Sequence, residues 1–208
     1  MESTHPDRQK QRQHIISARE ALPAATRAQL ESALLQHLQE LLDQLAAPTL
    51  HIPQTMGFYW PFRSEPDLRQ LVTRWLVRNP SHRAALPVVV DQNAPLAFRE
   101  WTPDSLMAPD RYGIPTPLEG ATLTPALLLI PVNGFDSRGF RLGYGGGYFD
   151  RTLESLSPQP LTIGVGYELG RLPLIPEAAH DRALDWIVTE AGAFRAERGH
   201  APELPATT

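Results

Sequence analysis

The chain has 208 residues, a formal net charge of −4, a 42% hydrophobic share and a 20% charged share, enough for one globular domain with a substantial core. The slight acidic excess excludes nucleic-acid binding by bulk basic charge. The absence of cysteine excludes disulfides, thiolate nucleophiles and cysteine-bound zinc.

The N-terminus, MESTHPDRQKQRQ, is polar and lacks the apolar stretch of a signal peptide. A helix is predicted over 8–22, stopped by Pro23. Residues 26–45 place Leu30, Leu34, Leu38, Leu41, Leu42 and Leu45 at helical spacing and read as an amphipathic helix. TMGFYW at 55–60 reads as a buried strand between Pro53 and Pro61. Helical period returns over 67–78, with Leu68, Leu71, Val72, Trp75 and Leu76 on one face. Strands are expected at 84–90 and 96–101, parted by a turn at Asp91-Gln92-Asn93.

A proline-rich connection (109–120) precedes ALLLIPV at 126–132, too short to span a bilayer. Its unbroken apolarity suggests a central strand buried on both faces. A helix is expected at 148–156, and strands at 161–167 and 185–190. Residues 196–208 read as a disordered tail. Alternating helices and strands give an α/β class. The expected architecture is a three-layer α/β/α, Rossmann-like open sheet, largely parallel, in one domain over 1–195. A soluble, cytoplasmic monomer with no nucleic-acid or membrane partner is expected.

RLGYGGGYFD at 141–150 carries the chemistry. It follows the apolar strand and enters a helix, where free N–H groups and the helix dipole suit a phosphate. Gly143, Gly145, Gly146 and Gly147 allow close backbone approach. Arg141 can add a bidentate contact, and Asp150 can hold the Mg²⁺ that accompanies nucleotide phosphates. The stretch matches neither Walker A nor G-x-G-x-x-G. Two readings stay open: a phosphate cradle, or a structural turn in which Arg141 pairs with Asp150 and the tyrosines pack.

The stretch LLLIPVNGFDSRGFRLGYGGGYFDRTL (127–153) resembles the signature of the 5-formyltetrahydrofolate cyclo-ligase family, also called methenyltetrahydrofolate synthetase. RQKQRQHIISAREALP, GFYWPFRSEPDLRQLV, YGIPTP and IGVGYELGRLPLIPEAAHDRALDWIVTE resemble further segments, so the likeness spans nearly the whole chain. It implies an ATP- and Mg²⁺-dependent enzyme acting on small molecules, turning 5-formyltetrahydrofolate into 5,10-methenyltetrahydrofolate. Two rival readings are an ATP-dependent kinase or ligase with a non-folate substrate, and a folate- or nucleotide-binding regulator without turnover.

By this resemblance ATP contacts Arg8, Gln9, Lys10, Gln11 and Arg12, together with Arg141, Leu142, Gly143, Tyr144, Gly145, Gly146, Gly147, Tyr148 and Phe149. Folate falls to Trp60, Glu65, Tyr144, Gly145, Gly146, Gly147 and Tyr148. The metal falls to Asp150 and Asp181, and catalytic roles to Arg141 and Tyr148. The family usually has Lys where Arg8 stands, and often a second Tyr where Phe149 stands, so packing is the safer role for Phe149.

Each has a plainer alternative. Arg8, Arg12 and Arg19 share one helix face that reads first as a solvated basic face. Glu65 suits the start of the following helix, as does Asp67. Trp60 suits the core, and Asp181 suits a helix cap, with His180 only its neighbour. Asp136 and Asp185 read as structural.

Overall fold

The computed structural model describes residues 4–46 and 54–197. Two helices come first, α1 (Thr4–Glu20) and α2 (Ala24–Leu45), parted at Pro23, whose missing N–H and fixed φ suit a helix entry. A short strand β1 (Thr55–Gly57) leads to α3 (Arg69–Arg78), β2 (Arg83–Val88) and β3 (Ala97–Trp101). Two small hairpins flank the next long strand: β4 (Met107–Pro109) with β5 (Pro115–Pro117), then, after β6 (Leu127–Pro131), β7 (Gly134–Phe135) with β8 (Arg141–Leu142). The helix α4 (Tyr148–Ser155), β9 (Leu161–Val165), a 3-10 turn at Glu168–Gly170, β10 (Trp186–Thr189) and β11 (Gly192–Arg195) complete the fold.

The main sheet has the order β11-β10-β9-β6-β1-β2-β3. Its five inner strands are parallel, and antiparallel β3 and β11 form the edges. β6 lies at the centre, with Leu127 and Leu129 in one apolar cluster and Leu128 and Ile130 in the other. That division is the period-2 alternation of a strand covered on both faces. The first cluster takes Leu34, Leu38 and Leu41 of α2 and Leu71, Val72 and Trp75 of α3. The second takes Leu153 of α4, with Leu184 and Ile187. The layers are thus α/β/α, as expected.

Close approach explains one strand glycine. A Cβ at Gly57 would lie 2.4 Å from Leu128 Cδ2, so β1 and β6 reach their spacing only with glycine there. The strand expected over 55–60 stops at Gly57, because the chain turns away toward Arg63 and Ser64, both at positive φ (49° and 63°). β4, β5, β7, β8 and β11 were not foreseen. Of the tail at 196–208, the N–H of Ala196 bonds Asp185 O and that of Glu197 bonds Ser137 O, both at 2.9 Å; residues 198–208 lie outside the described residues. No helix among the described residues is long and apolar enough to cross a membrane.

Candidate active site

Strand order reverses between β1 and β6: β2 and β3 extend one side, and β9, β10 and β11 the other. The crevice beyond the carboxyl ends at such a reversal is where open α/β sheets take ligands. The segments leaving those ends are Phe58–Glu65 after β1 and Val132–Asn133 after β6.

Beyond β6, the β7–β8 hairpin delivers Gly143–Gly147 to the start of α4. Gly145 (φ +95°) and Gly147 (φ +62°) are left-handed, and Gly147 occupies the helix N-cap without a side chain. The loop's carbonyls are tied back: Arg12 Nε donates to Gly143 O at 2.6 Å, and Arg151 Nη2 to Gly146 O at 2.7 Å. Among the described residues, the N–H groups of Gly143 through Gly147 have no protein acceptor. Five successive free donors at a helix N-terminus make an anion cradle.

Beside it stand three arginines. Arg8 Nη2 meets Asp181 Oδ2 at 3.0 Å, and Arg8 Nε is buried with no partner among the described residues. Arg141 is buried, donating from Nη1 to Arg182 O at 2.7 Å and from Nη2 to Asp150 Oδ1 at 2.8 Å. Burial, then the nearby charge of Arg8, pushes Arg12 below its ordinary pKa. Burial does the same to Arg141, against the pull of Asp150 and Asp181. Both remain cations, since arginine does not deprotonate in proteins. Packed like charge of this kind favours a bound polyanion.

Mg²⁺ would find only part of a coordination shell here. No group of three or more His, Cys, Asp and Glu side chains suited to a metal occurs among the described residues. Asp150 and Asp181 each direct one oxygen to an arginine, and among the described residues Asp150 Oδ2 receives no donor. Two carboxylates with one such oxygen fit a cation that completes its shell with phosphate oxygens and water, not a closed protein cage. His180 is exposed, its Nε2 3.8 Å from Asp181 Oδ1.

A second cluster lies on the other side of the loop. Glu65, 6% exposed, accepts from the Phe62 N–H at Oε2 (2.9 Å) and from the Tyr144 hydroxyl at Oε1 (2.8 Å). Burial pushes its carboxyl up from 4.5 to about 7, with Arg19 and the two hydrogen bonds opposing. Tyr144 raises its ring edge-on to Phe62 and is itself 41% exposed. Burial, then Glu65, pushes its phenol upward. Arg19 is 2% exposed and donates to the Tyr144 hydroxyl at 2.9 Å.

At the start of α4, the Tyr148 hydroxyl bonds that of Tyr112 at 2.8 Å, which raises the pKa of Tyr148. Tyr112 comes from the tip of the β4–β5 hairpin. Trp60, capped by the Arg69 guanidinium 4.4 Å from its ring centroid, lines a cleft of about 520 Å³ with α3 and Trp101. Glu65 does not line that cleft, so Trp60 and Glu65 do not form one pocket wall.

The family model described as "5-formyltetrahydrofolate cyclo-ligase family" matches residues 4–190. The chain belongs to that family. Curated cyclo-ligases resemble it across most of their length. The Haemophilus influenzae enzyme is 28% identical over 176 residues, covering 81% of this chain and 90% of that one. The Escherichia coli K12 enzyme is 29% identical over 177 residues, covering 77% and 94%. Two solved methenyltetrahydrofolate synthetases share the fold at 24% identity. That from Mycoplasma pneumoniae has a TM-score of 0.72, covering 88% of this chain and 99% of its own. That from Aquifex aeolicus has a TM-score of 0.74, covering 96% and 97%.

Within this cyclo-ligase fold, Arg8, Arg12, Arg141, Asp150 and Asp181 come together at the glycine loop from three parts of the chain. The Arg141–Asp150 pair, posed as the alternative to a phosphate cradle, exists alongside the free loop amides. The solvated-face expectation for Arg8, Arg12 and Arg19 is corrected: Arg19 is buried and Arg8 and Arg12 partly so, because Ile15 and Ile16 draw that face inward. Gln9 and Lys10 face solvent and Gln11 is half-buried. Leu142 is buried, and Phe149 packs on the second apolar cluster, as its missing hydroxyl suggested.

Asp136 is fully buried and accepts the N–H groups of Arg138, Phe140 and Ile175. Asp185 accepts the Thr162 N–H and hydroxyl. Both are structural. Sequence reasoning missed Tyr112 and Asn133, which carry no spacing signal, and Arg19 as an interior residue.

Proposed function

We propose that this chain closes the ring of 5-formyltetrahydrofolate to give 5,10-methenyltetrahydrofolate, consuming ATP and releasing ADP and phosphate. Family membership supports the reaction class. One observation carries the reading for this chain. A single loop lends free N–H groups to an arginine-rich side and, through Tyr144, a hydroxyl to the Glu65 side. One loop therefore serves as the meeting place of a polyphosphate and a second, uncharged ring system.

The formyl group on N5 is an amide, and its oxygen is a poor leaving group. Transfer of the γ-phosphoryl to that oxygen gives a phosphate ester of the amide. The substrate's own N10 then attacks the formyl carbon and loses its proton, the C–O bond breaks, and phosphate departs. The nucleophile belongs to the substrate, so no nucleophilic side chain is required. The protein's tasks are placement and charge neutralisation.

The amides of Gly143–Gly147, with Arg8 and Arg12, bind the phosphates. Arg141 adds positive charge and orients Asp150. Asp150 and Asp181 would hold Mg²⁺ together with phosphate oxygens, and the ion would offset developing negative charge. Glu65 and Tyr144 bind the pterin side, and Trp60 supplies an apolar wall along its neighbouring cleft. The Tyr148 hydroxyl, fixed by Tyr112, orients the formyl oxygen.

Purified protein mixed with ATP, Mg²⁺ and 5-formyltetrahydrofolate should raise the absorbance of methenyltetrahydrofolate. The rise should need every component. Absence of ATP-dependent product overturns the reading.

A further inference from the structure

Arg19 touches none of the charged side chains assigned above to phosphate or metal, yet it is among the most buried charges of the described residues, 2% exposed. All three guanidinium nitrogens are used. Nε donates to Arg63 O at 3.0 Å, Nη1 to Asn133 Oδ1 at 2.9 Å, and Nη2 to the Tyr144 hydroxyl at 2.9 Å. These partners lie on three segments: the turn after β1, the exit of β6, and the glycine loop. None is a carboxylate. Burying a guanidinium is costly unless its donors are satisfied, so every one of these bonds matters to keeping it inside.

A carboxyl stands one residue further on, because the Tyr144 hydroxyl donates in turn to Glu65 Oε1 at 2.8 Å. Two neighbours reinforce the arrangement from the same helix. Glu20, next to Arg19, accepts from Nε and Nη2 of Arg63, each at 2.7 Å, and so steadies the left-handed turn at Arg63 and Ser64. Arg12, two helical turns earlier on the same face, holds Gly143 O. Helix α1 therefore grips the glycine loop at two successive residues, Gly143 and Tyr144, and grips the β1 exit turn at Arg63.

We propose that Arg19 is a positioning residue: without touching either substrate it fixes Tyr144, and through Tyr144 Glu65, keeping the folate-side wall in register with the phosphate loop. This rests on the folate reading of Tyr144 and Glu65 given above. It implies that losing Arg19 damages folate binding selectively. It also implies a displaced titration of that binding. Among the described residues, the groups facing Glu65 are Arg19 from α1, Tyr144 from the loop, the Phe62 N–H from its own turn and Tyr59 from the β1 exit. Arg19 is the only cation among them, and its removal moves Glu65 ionisation to higher pH.

The test is equilibrium binding of 5-formyltetrahydrofolate without ATP, and of ATP alone, to wild type, Arg19→Gln, Tyr144→Phe and the double variant. Loss of one hydrogen bond to a charged group is expected to weaken folate binding about tenfold or more in either single variant. ATP binding should change less than about threefold in Arg19→Gln, and the double variant should be no worse for folate than about twofold below the weaker single one. The pH midpoint of folate binding should rise in Arg19→Gln.

Equal losses for ATP and folate, multiplying single effects, or an unmoved midpoint would each overturn the role. Should Arg19→Gln not fold, Arg19→Lys decides, since it keeps the charge but cannot reproduce all three guanidinium bonds; unchanged folate affinity there refutes the proposal. Folded wild type that binds no folate overturns the functional reading and this role with it. Folate binding by wild type with no loss in the variants overturns the role only.

Discussion

Glu65→Gln is the substitution whose consequence the structure fixes most closely. The carboxyl is almost fully buried, and burial raises it from 4.5 to about 7. In the unfolded chain it ionises near its ordinary value. Between those two pH values the folded state holds a proton that the unfolded state has lost, so stability falls as pH rises through that window. An interval of that size, at about 1.4 kcal/mol for each tenfold change, amounts to about 3 kcal/mol. Glutamine has nearly the same shape and never ionises. Urea unfolding of wild type and variant at pH 4.5 and pH 8 isolates the effect, because other titrating groups are common to both proteins. At pH 4.5 the variant should be equal or slightly less stable, losing only hydrogen-bond quality. At pH 8 the comparison should move in favour of the variant, by up to about 3 kcal/mol relative to pH 4.5. An unchanged difference at the two pH values, or a shift toward wild type at pH 8, would refute the assignment of a buried carboxyl held against ionisation.

Gly145→Ala should lower ATP affinity and cost about 1–3 kcal/mol, because φ is +95° and the new Cβ would lie 3.1 Å from Arg12 Nη1; the Michaelis constant for ATP and a thermal melt measure both. Asp150→Ala should cut turnover by at least about a hundredfold and cost about 3 kcal/mol by leaving Arg141 buried and unpaired; a near-normal rate across a Mg²⁺ titration contradicts its metal role. Asp136→Ala should destabilise by about 3–5 kcal/mol, since three backbone N–H groups and the Arg138 guanidinium lose their acceptor, and the fraction that folds should keep its Michaelis constants. Tyr112→Phe breaks the hydroxyl pair with Tyr148 and should lower the pH at which Tyr148 titrates, readable by its ultraviolet absorbance.

The layer order was legible because it depends on periodicity. The leucines of α2 and the run Leu127–Ile130 announce their faces without knowledge of partners. The short pieces were not legible. β7 and β8 have two residues each, and β4 and β5 are half proline, so neither gives a pattern long enough to read. The glycine-rich loop of the candidate site showed itself through a dense local motif. Its organisation did not, since Arg19 meets Asn133 across 114 residues and Tyr144 across 125. Arg19 also looked polar and therefore exposed. Only the fold reveals that Ile15 and Ile16 turn its helix face inward. Trp60 and Glu65, five residues apart and both assigned to folate by resemblance, end in different surroundings: Trp60 lines the cleft against α3, and Glu65 is buried beside Tyr144.

The hairpin that carries Tyr112 raises a matter of solubility. Exposed strand pairs invite further chains to add on, because their outer N–H and C=O groups are open to bonding. Here Pro109, Pro115 and Pro117 fill three of the six strand positions, and the register sets Pro109 opposite Pro115. Only Met107, Ala108 and Thr116 retain an amide hydrogen, so an approaching strand finds few donors. Such a flap can thus hold Tyr112 against Tyr148 without becoming a seed for self-association. Replacing those prolines to loosen the flap would be expected to trade that protection for a sticky edge.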